Sequence, residues 1–502
     1  MKKQVLSALA FCSALGIAQA QTDVTKEYLV NPSFETLKAA DGTTDVAVKT
    51  KLENGLYGWE ISKLLDNQFS NYQVESEASG SSTGIPANGI IKPSQGEFYY
   101  FNRQGWGNVD GSELKTSTSK NLPIGTYYAV IDYKAADFSN NNDASKSGTT
   151  IGIKAENATN ELLGENTAVR RAYSTLTSNS DPYMVNAAWN ELGTMFTVTE
   201  PTTVTISLVQ NMKNSGRSDI AWDNLRLYKI EDVSENAPMD VSGLITTSNY
   251  YAFGGWNIEG GNTFQVNTWS TEGENDGSGM TTPFIEDHVG KENKAANATI
   301  SHTVSHLIPG IYEVSGLIRV LNEAGGDTPS GATLYANEGS TNACNGEPCT
   351  NGVYGTYIVK GTVGTDGVLT FGIKVANANF NWVSFKNFKL QYLGAASIEQ
   401  LQATLQEKIE EAKAYAENCP KGIAAIVNAA ITQGDNAQPT EESLNAAIAA
   451  LTQAIALAEE TAPATEAFKT LMATSQGYAS HSSAEESVKQ AFQKAMTDAR
   501  LP

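Results

Sequence analysis

The chain has 502 residues, too many for one core of ordinary size, so two to four domains are expected. Its formal net charge of −21 opposes phosphate backbones and excludes nucleic acid as a natural partner. After the first twenty residues no apolar stretch is long enough to span a bilayer, so no transmembrane segment is expected.

In chain order, residues 1–20 read as a cleaved signal peptide. Lys2 and Lys3 form a charged start, residues 5–18 an apolar run, and Ala18-Gln19-Ala20 a cleavage site, which leaves Gln21 as the mature N-terminus. The protein is therefore expected to be secreted or held at the cell surface. "LVNPSFE" (29–35) follows, a strand-like run broken by Asn31-Pro32.

From there to Leu393, short alternating runs recur between Gly, Asn and Asp turns: "TYYAVIDYKA", "TTVTISLV", "LRLYKI", "YEVSGLIRV", "LTFGIKV" and "FKLQYL". This pattern predicts antiparallel β-sandwiches. The runs also repeat. "LPIGTYYAV" (122–130) parallels "LIPGIYEVS" (307–315), "YGWEI" (57–61) parallels "GGWNI" (254–258), and "WDNLRLYKI" parallels "FKNFKLQYL". A repeat this long implies two copies of one domain, expected at 27–231 and 239–394.

From Ala396 onward Ala, Glu, Gln and Leu dominate. Ser397 with Gln400 forms a capping box before a stripe of Leu401, Leu405, Ile409 and Ala412. Thr440 opens another helix, striped by Leu444, Ile448, Leu451 and Ile455. Ser483 and Glu486 mark a third, so 396–502 is expected to be a small helical bundle, possible as a truncated piece of a longer one. The predicted fold is thus multidomain and mainly β, with two antiparallel sandwiches followed by helices.

The chemistry-bearing residues are sparse. There is no H-E-x-x-H, G-x-S-x-G or P-loop. His302 and His306 sit four apart in a strand pattern and read as a solvent-facing surface rather than a metal pair. Trp59 and Trp256 repeat between the copies and read as core, as does Trp189. Cys344 and Cys349 bracket a short loop, where an oxidising compartment favours a local disulfide; Cys419 is left over as a free thiol.

"GEFYYFNRQGWGN" (96–108) concentrates aromatic rings around polar groups. Rings stack on the apolar faces of sugars while Asn and Arg bond hydroxyls. Tyr99, Asn102, Arg103 and Trp106 are therefore candidate carbohydrate-binding residues. A long polar loop (264–288) adds Trp269, with Glu272, Asp276 and Glu286 as a possible edge.

"VNPSFE", then "GW", then "LPIGTYYAV", then a closing "WDNLRLY" resemble, in that order, carbohydrate-binding modules of the family 4/9/22 type, which share a galactose-binding-like jelly roll. The resemblance covers residues 28–230 and, more weakly, 239–393. The helical tail resembles FIVAR-like modules of exported bacterial proteins. What the resemblance implies is a structural calcium held by Glu35 and Asp223. The second copy departs from it, carrying "ITTSNYY" and Lys386 at the matching places.

The expected function is secreted polysaccharide binding through tandem modules, as a non-catalytic part of a glycan-utilisation system. An adhesin or structural spacer is one alternative, and a glycoside hydrolase or fragment of one is another.

Overall fold

The computed structural model describes residues 21–52, 55–62, 71–77, 92–104, 109–138, 149–170, 189–212, 217–246, 256–261, 264–267, 284–337, 339–344, 354–417, 419–479, 488–491 and 494. The chain divides into two compact units, one holding both sandwiches and the other the helices.

The first sandwich contains β1 (Gln21–Asp23), helix α1 (Thr25–Tyr28), β2 (Gly55–Leu56), β3 (Trp59–Ser62), β4 (Asn71–Ser76), β5 (Phe98–Gln104) and β6 (Val109–Ser117). It continues with β7 (Gly125–Phe138), β8 (Thr149–Asn157), β9 (Leu162–Arg170), β10 (Asn190–Val198), β11 (Val204–Met212) and β12 (Arg217–Ile230). The second contains β13 (Met239–Asp240), β14 (Trp256–Gly260), β15 (Gln265–Asn267), β16 (Phe284–His288), β17 (Ala298–Val304) and β18 (Gly310–Leu321). Then come β19 (Ala332–Ala336), β20 (Gly339–Asn342), β21 (Gly355–Val363), β22 (Leu369–Val375) and β23 (Trp382–Tyr392).

The repeat is visible in the topology. The sheet order β10-β7-β12-β5-β4 in the first sandwich matches β21-β18-β23-β16-β15 in the second. The facing sheets run β2-β3-β6-β11-β8-β9 and β14-β17-β22-β19-β20. Trp222 pairs with Tyr100 and Tyr133 across its neighbours, as Phe385 pairs with Ile285 and Ile318. "WDNLRLY" and "FKNFKLQY" therefore occupy equivalent places. Each carries an asparagine in the left-handed region, Asn224 (φ 54) and Asn387 (φ 53), where the pairing with the neighbouring long strand slips register. Asparagine tolerates that conformation better than the branched residues around it.

Period-two alternation builds the cores. In β22, Leu369, Phe371, Ile373 and Val375 are buried among the second sandwich's apolar residues. Trp59 and Trp256 are core, as expected. "LVNPSFE" is not a strand. It follows α1 as a turn with Asn31 (φ 53) and Phe34 (φ 60) in the left-handed region, which a strand cannot contain. Phe34 is nonetheless fully buried, its ring centroid 4.8 Å from that of Trp59 and 5.7 Å from that of Tyr100.

The two sandwiches share core. Tyr128, Val130 and Met195 of the first pack with Met239, Val241, Leu244 and Tyr312 of the second. The Tyr312 hydroxyl lies 3.6 Å from Met195 Sδ, and Asn166 Nδ2 donates to the Leu244 carbonyl at 3.1 Å. Gly243 permits the approach: a Cβ there would come 2.6 Å from the Tyr128 hydroxyl oxygen.

The helical unit is formed by α2 (Ile398–Ala416), α3 (Lys421–Asp435) and α4 (Glu441–Ala479). Both bonds of the Ser397/Gln400 capping box are present, and the two predicted stripes are buried together with Val427, Ala430 and Ile431 of α3. The box at Ser483 and Glu486 lies outside the described residues. Cys419 is half-buried against this core.

Candidate functional site

Glu35 and Asp223 meet one loop. Glu35 accepts backbone N–H bonds from Glu97 at 3.1 Å to each oxygen and from Phe98 at 3.1 Å. Asp223, fully buried, accepts from Ser94 at 2.8 Å, Gln95 at 3.0 Å and Asn224 at 2.7 Å. Gly96 lies between them; a Cβ there would come 2.2 Å from Glu35 Oε1. Burial pushes the Asp223 carboxyl up to about 8, against the pull of these amide donors. Asp132 sits nearby, bonded to Ser94 Oγ, to Asn224 Nδ2 at 3.0 Å and to Arg226 at 2.6 Å. Among the described residues, no group of three or more His, Cys, Asp or Glu is arranged to hold a metal. Both carboxylates spend oxygens on backbone N–H donors, and residues 94–98 are the loop they share.

The aromatic candidates fare differently. Tyr99 is fully buried, its hydroxyl 2.8 Å from Glu75 Oε2, and it offers no ring face to a sugar. Strand alternation points it away from the core, but the outer face of this sheet is itself covered. Asn102 is also inside, donating to Gln210 Oε1 at 2.8 Å and tying the two sheets together. Arg103 pairs through its backbone with Asp219 and Asn71, and its side chain lies outside the described residues, as do Trp106 and Trp269. Trp189 is not core: half-buried, it donates from Nε1 to the Lys92 carbonyl at 2.9 Å, beside Tyr99 and under Lys134.

In the second sandwich, Glu286 is buried and accepts from Trp382 Nε1 at 2.8 Å. It is thereby committed inside the sheet rather than to a ligand edge. His302 is buried beside Trp256 and Phe371, not solvent-facing, and His306 lies past the end of its strand. Cys344 is buried next to β20; its expected partner Cys349 lies outside the described residues.

A cleft stands out on the outer face of the first sandwich's second sheet. Register lines up Glu60, Lys115, Ser207, Lys154 and Glu165 across five strands, with Ser62, Glu113, Val209, Gly152 and Thr167 in the next row. Glu113 is 6% exposed and takes Lys115 Nζ at 2.6 Å and Lys154 Nζ at 2.7 Å. Burial works to raise the Glu113 carboxyl, but hydrogen bonds from Lys115 and Lys154 outweigh it and hold it below the usual range. The cleft has a volume of about 280 Å³ and is lined by Glu113, Lys154, Glu165, Thr167, Val209 and Asn211 around side-chain-free Gly152. Its charges are largely paired within the sheet, leaving a polar floor of hydroxyl, amide, ammonium and carboxylate groups. The sequence signal lies in "SELK" and "IGIKAE", but only strand register places these runs side by side.

No family model matches the chain, and no curated protein matches it. Solved structures return partial matches. TmCBM61 in complex with β-1,4-galactotriose is 14% identical, covering 40% of this chain and 97% of that one, with a TM-score of 0.25. The tandem CBM22-1–CBM22-2 domain of Xyn10C from Paenibacillus barcinonensis is 10% identical, covering 76% and 100%, with a TM-score of 0.22. A Stig cyclase, Fisc, from Fischerella sp. TAU is 13% identical, covering 41% and 97%, with a TM-score of 0.26. At these values the fold rests on the strands and registers of this chain itself. Among the described residues, no helix is long and apolar enough to cross a membrane.

Proposed function

We propose that the chain is an exported glycan-binding protein that holds a polysaccharide in the cleft over Gly152, as a non-catalytic part of a glycan-utilisation system. The carrying observation is Glu113, nearly buried and clamped ionised between Lys115 and Lys154 at the cleft wall. A carboxylate fixed this way is a pre-oriented acceptor for sugar hydroxyls, with Lys154, Thr167 and Asn211 alongside. The volume sits near the lower end of ordinary ligand sites, about 300 Å³, which suits a short stretch of sugar chain.

Affinity electrophoresis in gels containing neutral polysaccharides tests this. Retention by at least one polymer, reduced in Glu113→Gln and Asn211→Ala, is expected. Equal retention of both variants on every bound polymer overturns the cleft assignment.

Two further points belong to this reading. A structural calcium held by Glu35 and Asp223 would give the buried Asp223 a counter-charge that the three amide donors do not supply in full. A hydrolytic role has one observation in its favour: Glu113 and Glu165 line the same cleft. Against it, hydrolysis needs a carboxyl raised to serve as acid, and Glu113 is held low. Release of reducing sugar from a polymer the chain binds, lost in Glu165→Gln, would reverse that preference.

A further inference from the structure

We infer that the cleft over Gly152 takes a sugar bearing a free amine, with Glu165 as the group that receives it. The inference rests on the glycan-binding reading of that cleft and adds the chemical class of the sugar it holds.

Strand register and side-chain pairing disagree here, and the disagreement leaves one charge over. Lys154 of β8 stands directly opposite Glu165 of β9. Cross-strand neighbours of opposite charge ordinarily pair. Lys154 Nζ instead turns the other way, over β11, and lies 2.7 Å from Glu113 Oε1 on β6, with Glu156 Oε1 3.9 Å away. Lys115 Nζ takes the second Glu113 oxygen at 2.6 Å. Both ammonium groups are thus committed to one carboxylate. Glu165, half-buried on the opposite wall, has no ion pair or hydrogen bond among the described residues.

Between the two walls the floor is partly apolar. Val209 and Gly152 are neighbours in the row that joins Glu113 to Thr167. A Cβ at Gly152 would come 3.7 Å from Val209 Cβ and 3.3 Å from Thr167 Oγ1, so the missing side chain keeps the trough open. A pyranose has an apolar face to set on such a floor and hydroxyls to meet Glu113 and Thr167. An ammonium substituent supplies the cation that Glu165 lacks.

Charge decides the class. Glu60 stands opposite Lys115, so the face around the cleft carries four carboxylates, Glu60, Glu113, Glu156 and Glu165, against the two ammonium groups of Lys115 and Lys154. Uronates, sulfates and phosphates meet repulsion there, with no uncommitted cation among the described lining residues to hold them. A neutral or N-acetylated sugar leaves Glu165 as it is. A protonated amino sugar pairs with it, and the net charge of −21 draws such a polymer in.

The test uses the full chain in affinity gels carrying glycol chitosan, which has free amines, or glycol chitin, its N-acetylated counterpart. Mildly acidic pH keeps the amines protonated, polygalacturonate serves as the acidic polymer, and melting temperature is measured alongside. The parent is expected to be retained about threefold more strongly by glycol chitosan than by glycol chitin, the advantage of one partly exposed ion pair, and less so as salt rises. Glu165→Gln should bring that ratio to about one without moving the melting temperature. Glu292→Gln, an equal loss of charge on the exposed surface of the second sandwich, should keep it. The amine assignment is wrong if the parent shows no preference, if the preference survives Glu165→Gln or falls equally in Glu292→Gln, or if polygalacturonate is retained most strongly. Glu113→Gln and Asn211→Ala separate this from failure of the cleft itself. If they weaken retention on glycol chitin while the amine brings no advantage, the cleft stands and its amine preference falls. If neither weakens retention on any polymer, the cleft assignment falls and the amine with it.

Discussion

Glu113 owes its behaviour to its two lysines. Its folded carboxyl lies below the ordinary value of 4.5, so the stabilisation it gives is present above about that pH and is lost as pH falls through the folded value. Binding in the first cleft should therefore hold through neutral pH and decline only below about 4.5, measured by calorimetric titration with a retained oligosaccharide. Glu113→Gln should remove that acid limb. Phe34 is a different case, fully buried between Trp59 and Tyr100. Phe34→Ala should cost about 3–5 kcal/mol in urea unfolding. Both residues show what sequence can and cannot convey. Phe34 is the one aromatic ring in "LVNPSFE", which makes it that run's candidate for the core. Tyr99 is misread because alternation tells which face of a strand a ring leaves from, not whether that face is covered. Glu113 escapes notice because its partner Lys154 lies two strands away.

Elements carry the next lesson. The family resemblance singles out Glu35 and Asp223, but the loop that both carboxylates bond, residues 94–98, is not legible, because its backbone amides have no sequence signature. If a cation completes this junction, a chelator should lower the melting temperature of the parent chain and leave Asp223→Ala, already destabilised, unmoved. An equal shift in both would place any cation effect elsewhere. In the helical unit, local chemistry suffices: the Ser397/Gln400 box forms as its residues dictate. Ser397→Ala should cost that unit about 1 kcal/mol, read from helical circular dichroism on heating. α3 had no such flag, since Pro420 precedes it and no side chain caps it. α4 also runs through Pro463 to Ala479, past the stripe that marks its start. The strands of both sandwiches are legible as runs, and their duplication as a repeat. Their neighbours are not, because pairing partners range from the hairpin β19-β20 to β1 and β12 at opposite ends of the first sandwich's sequence, and only the folded register chooses them.

At the scale of the molecule, two sandwiches expected from a repeat share a core. Tyr128, Val130 and Met195 belong to the second sandwich's apolar cluster as much as to the first. Scanning calorimetry should accordingly show one joint transition for the sandwiches, and Met195→Lys should lower it as a whole rather than split off one half. Two resolved sandwich transitions in the parent chain would contradict a shared core.

That shared core also imposes an order of events on synthesis. A chain grows from its N-terminus at about 5–20 residues per second, so the first sandwich is complete on the order of ten seconds before the second emerges. Through that interval Tyr128, Val130 and Met195 have no covering partner, and the half-made protein presents a sticky apolar surface. The nascent chain, rather than the finished one, is where chaperone attendance and misassembly with a neighbouring copy would concentrate.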